Sequence, residues 1–255
     1  MLAQIQLELP MSHDRMTLAR SLLGLLDLTS LGEDDSPARI EALCARAASP
    51  HGKVAAVCVY PEHVTTARRS LADSGIQVAS VVNFPDGGED PGRIERETRR
   101  AIAAGAGEVD MVLAWRALQR GDTASARAGV DACRAACGSG IVLKLILETG
   151  ELRAPDLIRA GAELGLDAGV DFLKTSTGKV PINATLDAAA ILLDAIAARG
   201  GSCGFKAAGG VRSLDEAAAY VALAERRLGT DWVTPAHFRI GASALLDAIW
   251  SELEG

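Results

Sequence analysis

Eight short apolar runs recur along this 255-residue chain, and segments with helical spacing of apolar residues separate them. The runs are LLGLLDL (22–28), VAAVCVY (54–60), VASVVNF (78–84), EVDMVL (108–113), IVLKLIL (141–147), VDFLK (170–174), CGFKAAGG (203–210) and HFRIGAS (237–243). Strict alternation of strand and helix implies parallel strands with helices outside. Eight such units favour closure into a (β/α)8 barrel, the TIM-barrel architecture, over the alternative of an open doubly wound sheet. The length matches the roughly 250 residues of one such barrel, so residues 1–255 read as a single catalytic domain. Residues 1–10 lie outside the repeat: Gln4, Gln6 and Glu8 alternate with Ile5, Leu7 and Leu9, which suggests an extension or arm.

The helical segments carry their own start signals. Ser36-Pro37 precedes Ile40, Leu43, Cys44 and Ala47, with serine suited to cap and proline to the first turn. Leu245, Leu246, Ile249, Trp250 and Leu253 form one stripe of a C-terminal helix. Residues 32–37 (GEDDSP) and 84–93 (FPDGGEDPGR) read as polar loops after strands, where a barrel keeps its active site.

Against that frame the charged strand residues stand out. Lys144, Lys174 and Lys206 each lie in or at the end of an apolar run, about 30 residues apart, one strand-plus-helix unit. Asp110 holds the equivalent place one unit upstream, and Asp27 and Asn83 also fall at strand ends. Burying an unpaired charge costs several kcal/mol, so convergence of these groups at one barrel end points to chemistry. A lysine attacks carbonyls only as the neutral amine. A second ammonium about 4 Å away, at an effective dielectric near 20, disfavours its protonation by about 4 kcal/mol. Lys206, one strand over, is placed to act so on Lys174, while Lys144 would pair with Asp110 and hold it ionised for proton relay. Such a set suits Schiff-base chemistry, in which the iminium is the electron sink for making or breaking a carbon–carbon bond.

Two loops suggest phosphate recognition. Gly209-Gly210 follows the Lys206 run, where missing Cβ atoms let backbone N–H groups approach an anion. GAS at 241–243 opens the final helix, whose N-terminus favours negative charge. Loops after strands 7 and 8 are the usual phosphate site of barrels.

From LLDLTSL near residue 25 to RIGAS near 240 the chain resembles the deoxyribose-phosphate aldolase family, through AAVCVYP, VVNFP, GAGEVDMV, LKLILETGEL, DFLKTSTGK and GFKAAGGVR. The resemblance implies a cofactor-free, metal-free class I aldolase that cleaves 2-deoxyribose 5-phosphate reversibly to glyceraldehyde 3-phosphate and acetaldehyde, in deoxyribonucleoside catabolism. It assigns the Schiff-base lysine to Lys174, the perturbing lysine to Lys206 and the proton relay to Asp110. It also implies that Asp27, Thr29, Cys58 and Lys144 line the pocket near the acceptor hydroxyl, that Thr177, Gly178, Lys179, Gly209, Gly210, Gly241 and Ser243 surround the phosphate, and that the protein is a homodimer. Three departures bear on efficiency rather than reaction class: Ala207 where proline is frequent, Ala244 where a second phosphate-facing serine often stands, and an ending in SELEG in place of a tyrosine-tipped tail.

Composition narrows the partners. The excess of 33 acidic over 26 basic residues argues against nucleic acid or an anionic membrane, so an anionic substrate needs a locally basic pocket. No apolar stretch approaches the roughly 20 residues of a membrane span, and no signal peptide is evident. Five scattered cysteines without a CxxC pair fit reduced thiols in the cytoplasm. Cys133 and Cys137 share a helix face, but no histidine stands near them to complete a zinc site. His13, His51, His63 and His237 read as solvated or structural, Trp115, Trp232 and Trp250 as packing residues, and Glu148 as a loop holder rather than an acid. The competing readings are a sugar-phosphate isomerase, for which three lysines would be superfluous, and a non-catalytic phosphosugar-binding regulator, which would be expected to lack Lys174 or Lys206.

Overall fold

The protein's computed structural model describes residues 12–254. Its eight barrel strands are β1 (Leu26–Thr29), β2 (Ala56–Val59), β3 (Gln77–Val82), β4 (Glu108–Val112), β5 (Val142–Ile146), β6 (Phe172–Lys174), β7 (Gly204–Ala208) and β8 (Phe238–Ala242). Each pairs in parallel with the next in chain order, and β8 returns to β1 through Leu26–Ile240, Asp27–Gly241 and Leu28–Ala242. That last ladder closes the sheet and rules out the doubly wound alternative, which would leave two unpaired edges.

Period-two alternation along the strands sorts the barrel into an apolar outside and a charged inside. Leu26, Leu28, Val57, Val59, Val109, Met111, Leu143, Leu145, Leu173, Phe205, Phe238 and Ile240 belong to one hydrophobic core shared with the surrounding helices. Each such side chain stabilises the fold by about 1.5–3 kcal/mol when fully buried. The alternate positions, Asp27, Glu108, Asp110, Lys144, Lys174, Lys206 and Arg239, meet one another across six strands, which is possible only inside the barrel. A second, small apolar cluster of Leu31, Cys58, Ala79 and Val81 fills the β1–β3 side beneath Tyr60 and Phe84.

Local chemistry sets the helices that hold this frame. In α2 (Pro37–Ala45) the Ser36 side chain accepts from the Arg39 N–H with Pro37 in the first turn, as the sequence predicts. The last described helix, Leu245–Glu254, buries Leu245, Leu246, Ile249 and Leu253. Two expectations need correction. The run LLGLLDL is not one strand: Leu22–Gly24 ends the helix α1 (Ser12–Gly24), whose Leu22 and Leu23 pack inward, and only Leu26 onward joins the sheet. Ser243 does not itself open the final helix but lies two residues before it. The proposed arm of residues 1–10 lies outside the described residues, as does Gly255.

Candidate active site

Strand register brings the charges together. Lys174 pairs with Lys206, Lys206 with Arg239, and Asp110 with Lys144. Within the barrel Asp110 is the hub: its Oδ2 accepts from Lys174 Nζ at 2.7 Å and Lys206 Nζ at 2.8 Å, and its Oδ1 from Lys144 Nζ at 2.9 Å. Lys206 Nζ also donates to Asp27 Oδ2 at 2.6 Å, and Lys144 Nζ to Glu108 Oε2, with Asp27 Oδ2 at 3.6 Å. At the lower end Arg239 donates through Nη1 to Asp27 Oδ1 at 2.7 Å and through Nη2 to Glu108 Oε1 at 3.1 Å. Gly241 makes room for Lys206, because a Cβ there would stand 2.9 Å from Lys206 Cε.

Burial and partners push these groups in different directions. Burial opposes ionisation of Asp110, yet Lys144, Lys174 and Lys206 outweigh it and hold the carboxyl well below the usual range. Asp27 behaves alike, with Lys206, Lys144 and Arg239 as the countercharges. Among the lysines burial favours the neutral amine in every case, but for Lys144 it is outweighed by Asp110, Glu108 and Asp27, and for Lys206 by Asp110 and Asp27, so both are raised. Lys174 is the exception. Burial, reinforced by Lys206 and opposed chiefly by Asp110, lowers it. Burial is thus a larger cause than the second ammonium, which the sequence alone put first.

Above this cluster opens a cavity of about 260 Å³ between the loops after β1, β6, β7 and β8. Thr29, Lys174, Thr177, Gly178, Lys179, Gly209, Gly210, Gly241 and Ser243 all border it, together with Ala244 and Arg212. Gly209 and Gly210 adopt φ of +87° and +92°, a backbone region that favours glycine. Lys179 donates from Nζ to the Leu31 carbonyl at 2.6 Å, tying two of these loops together. Asp27, Cys58 and Lys144, expected to line the pocket, instead lie fully buried beneath its rim. Burial, followed by the nearby Asp110, pushes the Cys58 thiol up to about 11.

Two strand-end residues serve the loops. Asn83, at φ +53°, donates from Nδ2 to the carbonyls of Gly88 and Val112 and accepts from the Gly88 N–H. Glu148, fully buried at φ +56°, accepts from the Thr177 N–H at 3.2 Å and from the Thr177 hydroxyl at 2.5 Å, fixing the loop after β6 as the sequence suggests. Burial raises its pKa against those bonds. Sequence reasoning missed Glu108, Arg239 and Arg212. The first two were detectable, each sharing a strand face with a residue already singled out, Asp110 and Gly241. Cys133 and Cys137 are both buried on one helix, and among the described residues no group of three or more His, Cys, Asp or Glu is placed to hold a metal. Among the same residues no helix is long and apolar enough to cross a membrane.

A family model described as DeoC/LacD family aldolase matches residues 21–251. A protein from Coccidioides immitis, provisionally described as a deoxyribose-phosphate aldolase, is 29% identical, with a TM-score of 0.78 over 90% of this chain and 85% of its own. The apo form of one from Toxoplasma gondii ME49, described in the same way, is 26% identical, with a TM-score of 0.87 over 95% and 98%. The tetrameric deoxyribose phosphate aldolase of Aeropyrum pernix, 22% identical with a TM-score of 0.73 over 95% and 98%, shares the fold.

Proposed function

The chain belongs to the DeoC/LacD family of aldolases, and from that premise we propose that it is a class I aldolase of one catalytic barrel. It cleaves 2-deoxy-D-ribose 5-phosphate reversibly to D-glyceraldehyde 3-phosphate and acetaldehyde through a Schiff base on Lys174. One observation carries this reading. Of the three interior lysines only Lys174 borders the cavity, and only Lys174 has a single carboxylate partner.

The neutral Lys174 amine adds to the aldehyde carbon of the open-chain sugar, and loss of water gives an iminium. Removal of the C3 hydroxyl proton then breaks the C2–C3 bond. The electron pair moves into the iminium to give an enamine, and glyceraldehyde 3-phosphate leaves. Protonation of the enamine carbon and addition of water release acetaldehyde and restore the amine. Asp110, within reach of Lys174 and ionised at neutral pH, relays these protons through water, and Lys206 keeps positive charge beside the reacting amine. Thr29 meets the sugar hydroxyls at the cavity wall, with Asp27, Lys144 and Cys58 beneath. The phosphate lies against the loops of Thr177, Gly178, Lys179, Gly209, Gly210, Gly241 and Ser243, with Arg212 beside them. Deoxyribose 5-phosphate is a breakdown product of deoxyribonucleosides, and the reading assigns the enzyme to that catabolism.

The direct assay incubates the protein with deoxyribose 5-phosphate and follows products by proton NMR. Acetaldehyde and glyceraldehyde 3-phosphate should appear, and plain deoxyribose should react at least about tenfold less efficiently, the worth of one lost charged contact. Absence of both products would rule out the cleavage reaction, and equal rates on both sugars would remove the phosphate site.

A further inference from the structure

The charge balance of the barrel interior depends on a residue at its far end, Arg239. Four cations, Lys144, Lys174, Lys206 and Arg239, share three carboxylates, Asp27, Glu108 and Asp110, with all seven side chains buried. The other ionisable groups near Lys174 stand outside these ion pairs and are the same in every variant of the cluster. Cys58 is a protonated thiol at neutral pH, Glu148 acts on Lys174 only through space while its oxygens accept from Thr177, and Lys179 and Arg212 reach solvent at the cavity mouth. A buried cluster with one cation in excess gains by releasing one proton. Arg239 cannot supply it, because a guanidinium stays charged at any accessible pH. Lys144 and Lys206 are each bonded to two carboxylates, whereas Lys174 has only a share of one Asp110 oxygen.

We propose that Arg239 and Glu108 are a positioning pair that sets the proton occupancy of Lys174 from the opposite end of the barrel. By engaging Asp27 and Glu108, Arg239 leaves three carboxylates to serve four cations, and the deficit falls on the lysine at the cavity. Neither residue touches the cavity. The inference rests on the Schiff-base reading of Lys174 and extends it to how that lysine is kept neutral.

The test measures ethylation of Lys174 by acetaldehyde and cyanoborohydride against pH, located by peptide mass, in the full chain and its variants. The rate follows the neutral fraction of Lys174, so each variant yields a midpoint. Arg239→Met balances the cluster at three against three, stabilises the Lys174 ammonium and moves the midpoint up. Glu108→Gln leaves four against two and moves it down. A unit charge at roughly 10 Å and an effective dielectric of about 20 gives shifts of about one pH unit. The double variant Arg239→Met/Glu108→Gln restores an excess of one and returns the midpoint to the wild-type value, and Arg239→Lys leaves it in place. If Arg239→Met does not fold, Glu108→Gln and the double variant still decide the question. Unchanged midpoints, shifts of one sign in both single variants, or a double variant that stays displaced would overturn the proposal. Absence of Lys174 ethylation in the wild type at every pH would instead remove the Schiff-base reading on which it rests.

Discussion

Lys174 and Lys206 donate to one and the same oxygen, Asp110 Oδ2, at 2.7 and 2.8 Å. Two cations on one carboxylate oxygen divide a countercharge sufficient for one, and Lys206 has a second carboxylate in Asp27 while Lys174 does not. The asymmetry leaves Lys174 the least supported ammonium of the three, in the same direction as its burial, which lowers its pKa.

Lys206→Leu removes a positive charge beside Lys174 and frees Asp110 to serve it, and both changes favour the ammonium. The Lys174 pKa therefore rises, and the pH profile of kcat/KM moves to higher pH by about one unit or more, with a lower maximum. Burial, the larger cause of the lowered pKa, remains, so the shift should not restore an ordinary lysine. An unmoved profile would show that the two lysines are uncoupled.

Asp110→Asn removes the proposed proton relay and the carboxylate that all three lysines share, Lys144 through Oδ1 and Lys174 and Lys206 through Oδ2. Turnover should fall by roughly 10²- to 10⁴-fold, the range for a general acid or base, with KM for the sugar phosphate nearly unchanged. Steady-state kinetics check this, and a rise in KM with unaltered kcat would make Asp110 a binding residue.

Much of this site was legible before the fold was known, for a physical reason. A lysine or aspartate inside an apolar strand run cannot be buried without a partner, so Lys144, Lys174, Lys206 and Asp110 announced one another. Glu108 and Arg239 obey the same rule but stand at the beginnings of their runs, where a charge also suits a solvated strand end. The helix α1 was hidden because Leu22, Leu23, Leu25 and Leu26 form one continuous apolar string across a helix end and a strand start. That Lys174 owes its lowered pKa first to burial depends on depth within the barrel, which sequence spacing does not carry.

Glu148→Ala should loosen the loop proposed to hold the phosphate far more than it disturbs the amine of Lys174. It removes an acceptor for the Thr177 N–H and hydroxyl, and hydrogen bonds to a charged group are worth about 1.5–3 kcal/mol each. KM for deoxyribose 5-phosphate should rise at least about tenfold while acetaldehyde trapping at Lys174 keeps its wild-type rate. Equal losses in both would mean that Glu148 acts on Lys174.

Ala244→Ser adds a hydroxyl on the cavity wall beside Ser243. One neutral hydrogen bond is worth about 0.5–1.5 kcal/mol, so KM for the phosphorylated sugar should drop about two- to tenfold, with plain deoxyribose unaffected. If neither KM nor the preference for the phosphorylated sugar changes, the phosphate does not lie beside the last helix.

The most direct test of the central claim is where acetaldehyde becomes fixed to the protein. After borohydride reduction, digestion and mass spectrometry, one ethyl group should be found on Lys174 and none on Lys144 or Lys206, because only Lys174 combines a lowered pKa with access to the cavity. Labelling at Lys144 or Lys206, or none at all, would contradict the assignment of Lys174 as the Schiff-base lysine.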